Sequence, residues 1–308
     1  FYPTMNQDDG YDITDYYGVD PRYGTLGDFV EFTHACRQRG MRVIIDLVVN
    51  HTSDQHAWFR AALEAGPGSP ERDRYIFRHS DDGAPNNWGS LFSGSTWQWD
   101  GTTEQYYLHL FDRSQPDLNW DNPAILDDLE KTLRFWLDRG FDGFRIDVAH
   151  GMAKPAGLPD MPEADIPAPH TLTINDLRFN NDGVHEIHRG IRSVLDDYPE
   201  AVTIGEIWVF DNADFAKYLR SDELHLAFNF RLVRAGFNAL DIRESIENSL
   251  AAAELADSPP TWCLSNHDVA REVTRYGDGD RGLARARAMA LVMLALPGSV
   301  FVYNGEEL

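Results

Sequence analysis

Cysteine, basic residues and long apolar runs are all scarce in these 308 residues. Two cysteines, Cys36 and Cys263, are too few for a disulfide framework. With no secretory leader or amphipathic transit segment either, a reducing cytoplasm is the expected compartment. Lys and Arg number 27 against 50 Asp and Glu, a formal charge of −23. Such a surface repels phosphate backbones and anionic lipid heads, so neither nucleic acid nor a membrane is an expected partner. The longest strongly apolar stretch, Ala288 to Val302, is broken by Pro297 and Gly298 and falls short of the roughly 20 residues that cross a bilayer. A metalloprotease HExxH spacing is missing as well; His185 and His188 are one residue too close for it and read as an exposed pair.

What is present is a repeating unit: an amphipathic helix, a glycine, then a short apolar strand that ends in polar residues. Leu26, Phe29, Val30 and Thr33 form one helical stripe that stops at Arg39-Gly40, before a strand over Val43 to Asn50. Leu126, Leu129, Leu133, Trp136 and Leu137 form another, stopped by Arg139-Gly140 before a strand over Phe144 to Val148. Gly40 and Gly140 stand where a left-handed helix end is wanted. Val184, Ile187, Ile191, Val194 and Leu195 lead to a strand over Ala201 to Gly205, and a helix near 212–219 precedes an apolar stretch over Leu224 to Phe230. A helix capped by Asp241, a strand over Thr261 to Leu264, a helix over Gly282 to Leu296 and a strand over Ser299 to Tyr303 complete the series. Counting a weak strand near Tyr11 to Tyr17, seven strands are predicted, and the alternation is that of a parallel α/β barrel.

Two stretches break the rhythm. Residues 52–120 are rich in Gly, Pro, Asp and aromatics without a long helical period, which predicts a small domain inserted between barrel segments 1–51 and 121–308. Residues 155–169 contain five prolines and predict an irregular loop. Both leave from C-terminal strand ends, the face on which barrel enzymes build their sites. Trp88, Trp97, Trp99 and Trp120 fall in or beside the insertion; they suit sugar stacking, and core packing equally.

Acidic residues recur at the predicted strand ends: Asp147, Glu206 and Asp268. A surplus of acids offers a bland explanation. Strand ends behind Ile, Val and Phe are half-buried, however, and a solvated surface charge has no need of them. Three converging carboxylates without His or Cys ligands suit glycoside hydrolysis, one as nucleophile and another as proton donor.

The segments Phe144-Arg-Ile-Asp147, Glu206-Ile-Trp208, Asn266-His-Asp268 and Asp46-Leu-Val-Val-Asn-His51 resemble the signature segments of the α-amylase family of glycoside hydrolases, in that family's order. Gly10-Tyr-Asp-Ile-Thr-Asp-Tyr-Tyr-Gly-Val-Asp-Pro21 and Gly298 to Glu307 are similar to further family segments, and Gln115-Pro-Asp-Leu-Asn119 resembles the version in the α-glucosidase and oligo-1,6-glucosidase branch. The resemblance implies a (β/α)8 TIM barrel with the insertion after its third strand. Family members begin with another strand and helix before the position of Phe1. They continue past Glu307 into a last helix and a β-sandwich, so the first strand and the sandwich are expected to be absent from this sequence.

Carried over by position, the resemblance makes Asp147 the nucleophile, Glu206 the general acid/base and Asp268 the carboxylate that binds sugar hydroxyls and stabilises the oxocarbenium-like transition state. Arg145 would hold Asp147 ionised from the same strand face. His51 and His267 would bind hydroxyls of the cleaved sugar, Tyr11 would stack on it, and Asp8 would grip its far hydroxyls. The implied function is a retaining α-glucosidase acting on short oligosaccharides. A glucosyl-transferring relative of the trehalose synthase kind and a non-catalytic family member are the alternatives. Val148, directly after the nucleophile, resembles the α-1,6-specific members. No cofactor is implied. Where many α-amylases hold a structural calcium at the positions of Asn50 and Asp117, Lys154 resembles the lysine that glucosidases place instead. Oligomeric state stays open.

Overall fold

The computed structural model describes residues 1–168, 171 and 176–307. Contacts divide the chain into two compact units, Phe1–Val202 and Thr203–Leu308.

In the first unit, α1 (Leu26–Arg37) begins at Thr25, whose hydroxyl accepts from the Asp28 N–H while the Asp28 carboxylate accepts from the Thr25 N–H. This reciprocal pair satisfies two of the amides a helix start leaves bare. It leads to β1 (Ile45–Leu47). The insertion follows: α2 (Ala57–Ala65), then β2 (Phe77–Arg78), β3 (Trp97–Asp100) and β4 (Gln105–Leu108), an antiparallel sheet in the order β2-β4-β3. The barrel pattern resumes with α3 (Pro123–Leu137), β5 (Gly143–Ile146) and α4 (Val184–Leu195). Pro123 sits in the first turn of α3, where its missing N–H costs nothing, behind Asn122 as cap.

β1 and β5 pair in parallel, Ile45 with Phe144, Asp46 with Arg145 and Leu47 with Ile146. Gly40 and Gly140 take φ of +72° and +92° just beyond their helices, as the sequence predicted. Gly143 has φ +143°, and a Cβ there would lie 1.9 Å from the Val202 carbonyl oxygen. Only glycine admits that approach at the mouth of β5.

Two apolar clusters hold this unit. Phe59, Ala62, Tyr75, Phe77, Tyr107, Leu118 and Ile125 join α2 to one face of the antiparallel sheet. Trp88, Trp97, Leu108, Leu110, Val148, Leu158, Met161 and Phe179 form the other, so the residue after Asp147 is packed among side chains of the insertion.

In the second unit, β6 (Val202–Glu206) pairs in parallel with β7 (Leu226–Phe228), Glu206 beside Phe228. Between and after them come α5 (Asn212–Lys217), α6 (Arg231–Arg234) and α7 (Ala239–Ala256). β8 (Thr261–Trp262), α8 (Glu272–Arg275), α9 (Gly279–Ala295) and β9 (Ser299–Val300) follow, with β8 and β9 parallel. Among the described residues no helix is long and apolar enough to cross a membrane.

Four local expectations need correction. The weak strand near Tyr11 to Tyr17 is a turn-rich loop whose only ladder contact is the isolated bridge Thr4–Ile13. Inside the insertion stands a nine-residue helix, α2, where no long helical period was expected and no helix was placed. The cap of α7 is Asn238, whose side chain accepts from the Asp241 N–H, so Asp241 lies in the first turn rather than at the cap. His185 and His188 are buried, 6% and 0% exposed, not a surface pair. The proline-rich loop contains one short 3-10 turn, Glu163–Asp165, and its final residue, Pro169, lies outside the described residues.

Candidate active site

The nucleophile candidate is built into its strand end. Asp147 is 6% exposed, its N–H donates to the Leu47 carbonyl, and its Oδ1 accepts from Arg145 Nη1 at 2.6 Å. The same Arg145 nitrogen donates to Asp46 Oδ1 and Oδ2 at 2.9 and 3.0 Å. Asp46 Oδ2 in turn accepts the Tyr11 hydroxyl at 3.0 Å. One guanidinium thus stands between two carboxylates, and the parallel register that puts Asp46 beside Arg145 makes the arrangement obligatory. A charge-assisted bond of that length orients Asp147 as an anion before any substrate arrives.

Val148 then leaves the strand at φ +45°, a conformation that a β-branched residue rarely takes. The surrounding cluster holds it there. This strained conformation sets the direction in which the chain leaves Asp147.

A second group of side chains surrounds His51. The ring is 2% exposed, and burial lowers its pKa to about 4, so it is neutral at physiological pH. Its Nε2 lies 3.2 Å from the Tyr11 carbonyl oxygen and 3.1 Å from Gln115 Nε2. Gln115 also donates to Asp8 Oδ2 at 2.8 Å. Burial raises the pKa of Asp8, opposed by that hydrogen bond. Asp8, Tyr11, His51, Arg145 and Asp147 are therefore joined by one network. Asp46 and Gln115 belong to it too and were not singled out as site residues. The signal for Asp46 was an acid inside an otherwise apolar strand; the signal for Gln115 was its place in a matched segment.

Behind His51 lie Asn50 and Asp117, the positions at which the resemblance implies either a structural calcium or a lysine in its stead. Here Lys154 Nζ reaches them, 2.9 Å from Asp117 Oδ2, 2.9 Å from Asn50 Oδ1 and 2.6 Å from the Gly151 carbonyl. All three ammonium hydrogens have acceptors, and the Lys154 and Asp117 side chains are 5% and 0% exposed. A divalent ion that wants six to eight oxygens would have to displace a buried cation, so these residues do not fit calcium. Among the described residues no other group of three or more His, Cys, Asp or Glu is placed to hold a metal.

In the second unit, Glu206 closes β6, 6% exposed, and its Oε1 accepts the Trp208 indole N–H at 3.0 Å. Trp208 stacks on Phe230 at 4.0 Å. Asp268 and His267 follow β8 on a turn and are far more open, their side chains 45% and 43% exposed, with His267 Nε2 3.3 Å from Asp268 Oδ1. Asn266 donates to Asp268 Oδ2 at 2.9 Å. Asp147 and Glu206 therefore stand at strand ends, the position at which barrels carry catalytic groups, whereas Asp268, expected at a strand end too, lies on the turn beyond β8, which stops at Trp262.

Known proteins resemble this chain along its whole length. The family model described as alpha amylase, catalytic domain, matches residues 1–308. An alpha-glucosidase of Candida albicans is 35% identical over 329 residues, covering 100% of this chain and 57% of its own length. An oligo-1,6-glucosidase of Heyndrickxia coagulans is 37% identical over 328 residues, covering 100% and 58%. Among solved structures, that of the alpha-glucosyl transfer enzyme XgtA superposes with a TM-score of 0.92 at 36% identity, covering 100% of this chain and 59% of that one. The chain thus spans somewhat more than half the length of the relatives it matches.

Proposed function

Because the chain belongs to the α-amylase catalytic-domain family, we propose that it works as a retaining α-glucosidase that removes terminal α-linked glucose from short oligosaccharides. Asp147 attacks the anomeric carbon, Glu206 protonates the leaving oxygen and then deprotonates the water that hydrolyses the glycosyl-enzyme, and Asp268 with His267 holds hydroxyls of the same sugar. The observation that carries the reading is the Asp46-Arg145-Asp147 arrangement. It supplies an oriented, buried anion with a fixed counter-charge, which is what a covalent nucleophile needs and what a passive binding surface does not. The retention of all three acids argues in the same way against a non-catalytic member.

Transfer to a second sugar is the alternative reading, favoured by the likeness to a glucosyl transfer enzyme. Both outcomes share the covalent intermediate and differ in whether water or a hydroxyl accepts it. The deciding experiment follows maltose and isomaltose conversion by proton NMR: glucose released first as the α-anomer supports the retaining hydrolase, a new disaccharide supports transfer, and the β-anomer first overturns retention. Lys154 in the calcium position supports a metal-independent enzyme, and two buried, unpaired cysteines support the cytoplasm as its compartment.

A further inference from the structure

Lys154 is placed to do more than replace an ion. An ammonium group only donates, so the Asn50 side-chain oxygen, 2.9 Å away, must be the end that faces it. The Asn50 NH2 is thereby turned the other way, 3.2 Å from Asp117 Oδ2 and 3.3 Å from His51 Nδ1. An amide nitrogen can only donate to a ring nitrogen, so Nδ1 must be bare and the hydrogen of the neutral imidazole must sit on Nε2. The far side of the ring agrees: Nε2 faces the Tyr11 carbonyl oxygen at 3.2 Å, an acceptor. One contact prefers the opposite form. Gln115 Nε2 lies 3.1 Å from His51 Nε2, and one of its hydrogens is already committed to Asp8. Without the Asn50 donor, a bare Nε2 accepting from Gln115 would be an equally good solution.

We propose that Lys154 is a positioning residue that, through the Asn50 amide, holds His51 in the tautomer with its hydrogen on Nε2. His51 then offers a donor, not an acceptor, on the side where Asp8 and Gln115 lie, and a sugar hydroxyl bound there must accept from it. That last consequence rests on the glucosidase reading; the tautomer does not. Replacing Lys154 removes the cation that holds the Asn50 side-chain oxygen, and it leaves Asp117, the other group that orders the amide, a buried carboxylate without its counter-charge.

The test is the long-range proton–nitrogen spectrum of 15N-histidine-labelled protein, with the His51 signals identified by their loss in His51→Gln. The native protein should show Nδ1 bare and Nε2 protonated. Lys154→Arg, which still donates to both oxygens, should keep that pattern. Lys154→Met should move His51 to the Nδ1-protonated form or to a mixture. Asn50→Asp, which keeps an oxygen for Lys154 and places an acceptor against Nδ1, should do the same and serves if Lys154→Met does not fold. A native Nδ1-protonated ring, or an Nε2-protonated ring in Asn50→Asp and in any folded Lys154→Met, overturns the inference. Glucoside kinetics on the same proteins are read separately. A tautomer change with kcat/KM unaltered leaves the Lys154–His51 coupling standing and removes His51 from the sugar-binding set instead.

Discussion

The two units differ in how firmly their candidate functional side chains are held. In Phe1–Val202, Asp147, Arg145, His51 and Lys154 are buried or nearly so, and each is hydrogen-bonded to neighbouring side chains. In Thr203–Leu308, Glu206 shares that character, yet His267 and Asp268 sit on a turn with almost half of each side chain in water. Orienting a nucleophile beforehand removes reorganisation from the reaction itself, and that benefit requires a rigid, low-dielectric setting. A residue that grips a sugar hydroxyl gains most of its value once substrate has closed around it. The division of rigidity therefore follows the proposed division of roles: the proposed nucleophile is prebuilt and the pair proposed to bind hydroxyls is left open.

The strongest way to break that comparison is to remove the charge that the first unit's candidate residues are built around. Asp147→Asn should leave circular dichroism and melting unchanged and lower kcat on a nitrophenyl α-glucoside by about ten-thousandfold, as loss of a covalent nucleophile normally does. Retention of more than about a hundredth of native kcat would remove Asp147 from that role. Stability should divide the two units the other way. Lys154→Met strips Asp117 of its buried partner and should cost about 3–5 kcal/mol in urea unfolding. His267→Ala, at an exposed position, should stay within about 0.5 kcal/mol of native. If both substitutions cost the same, the contrast in rigidity has no energetic content. EDTA should leave the native melting temperature where it is, because the cation at this position is covalently part of the chain.

Much of this was legible beforehand, and the failures have specific causes. Asp147 and Glu206 fell at strand ends, where periodicity put them, because each closes an apolar run, whereas Asp268 stands on a turn beyond the shorter β8. The parallel register that aligns Asp46 with Arg145 is a tertiary fact that no local pattern contains. His188 was misread for the opposite reason. It is four residues after Val184 and three before Ile191, on the apolar stripe of α4, and its polarity was allowed to outweigh its spacing. Its Nε2 donates to the Ala149 carbonyl at 2.8 Å, the partner that makes burial tolerable. In the insertion, the stretch Ala57–Ala65 is made of good helix formers behind a His56 cap, but glycines and prolines downstream masked it.

That burial has a pH signature. Desolvation lowers His188, His51 and His56 to about 4 from an ordinary 6.5. Between those values the unfolded chain binds protons that the folded chain refuses, so stability is complete above about pH 6.5 and is lost as the pH falls toward 4. Each histidine contributes up to about 3 kcal/mol to that loss. All three lie in Phe1–Val202, so hydrogen-exchange protection, corrected for the intrinsic pH dependence of exchange, should fall there first on acidification. His188→Asn should flatten the decline between pH 6.5 and 4. Protection that falls first in residues 203–307 would contradict the assignment.

The smallest effect expected concerns linkage. Val148 resembles the residue of the α-1,6-specific members, and it is also buried at φ +45° among Trp88, Trp97, Leu158, Met161 and Phe179. Those two facts pull a substitution in different directions. Val148→Ala removes two methyl groups next to the nucleophile and should relax the preference for isomaltose over maltose by about tenfold, the scale on which apolar contacts discriminate. It also leaves a small cavity, so a loss of about 1–2 kcal/mol in stability should accompany it. Val148→Gly separates the terms, since glycine takes the positive φ without strain while deleting the side chain. If linkage preference follows the side chain, both variants shift it alike. If it follows the backbone direction that carries Asp147, alanine and glycine should differ in kcat on both disaccharides. A native enzyme that prefers maltose, or cleaves the two sugars at comparable rates, removes Val148 from the specificity argument altogether.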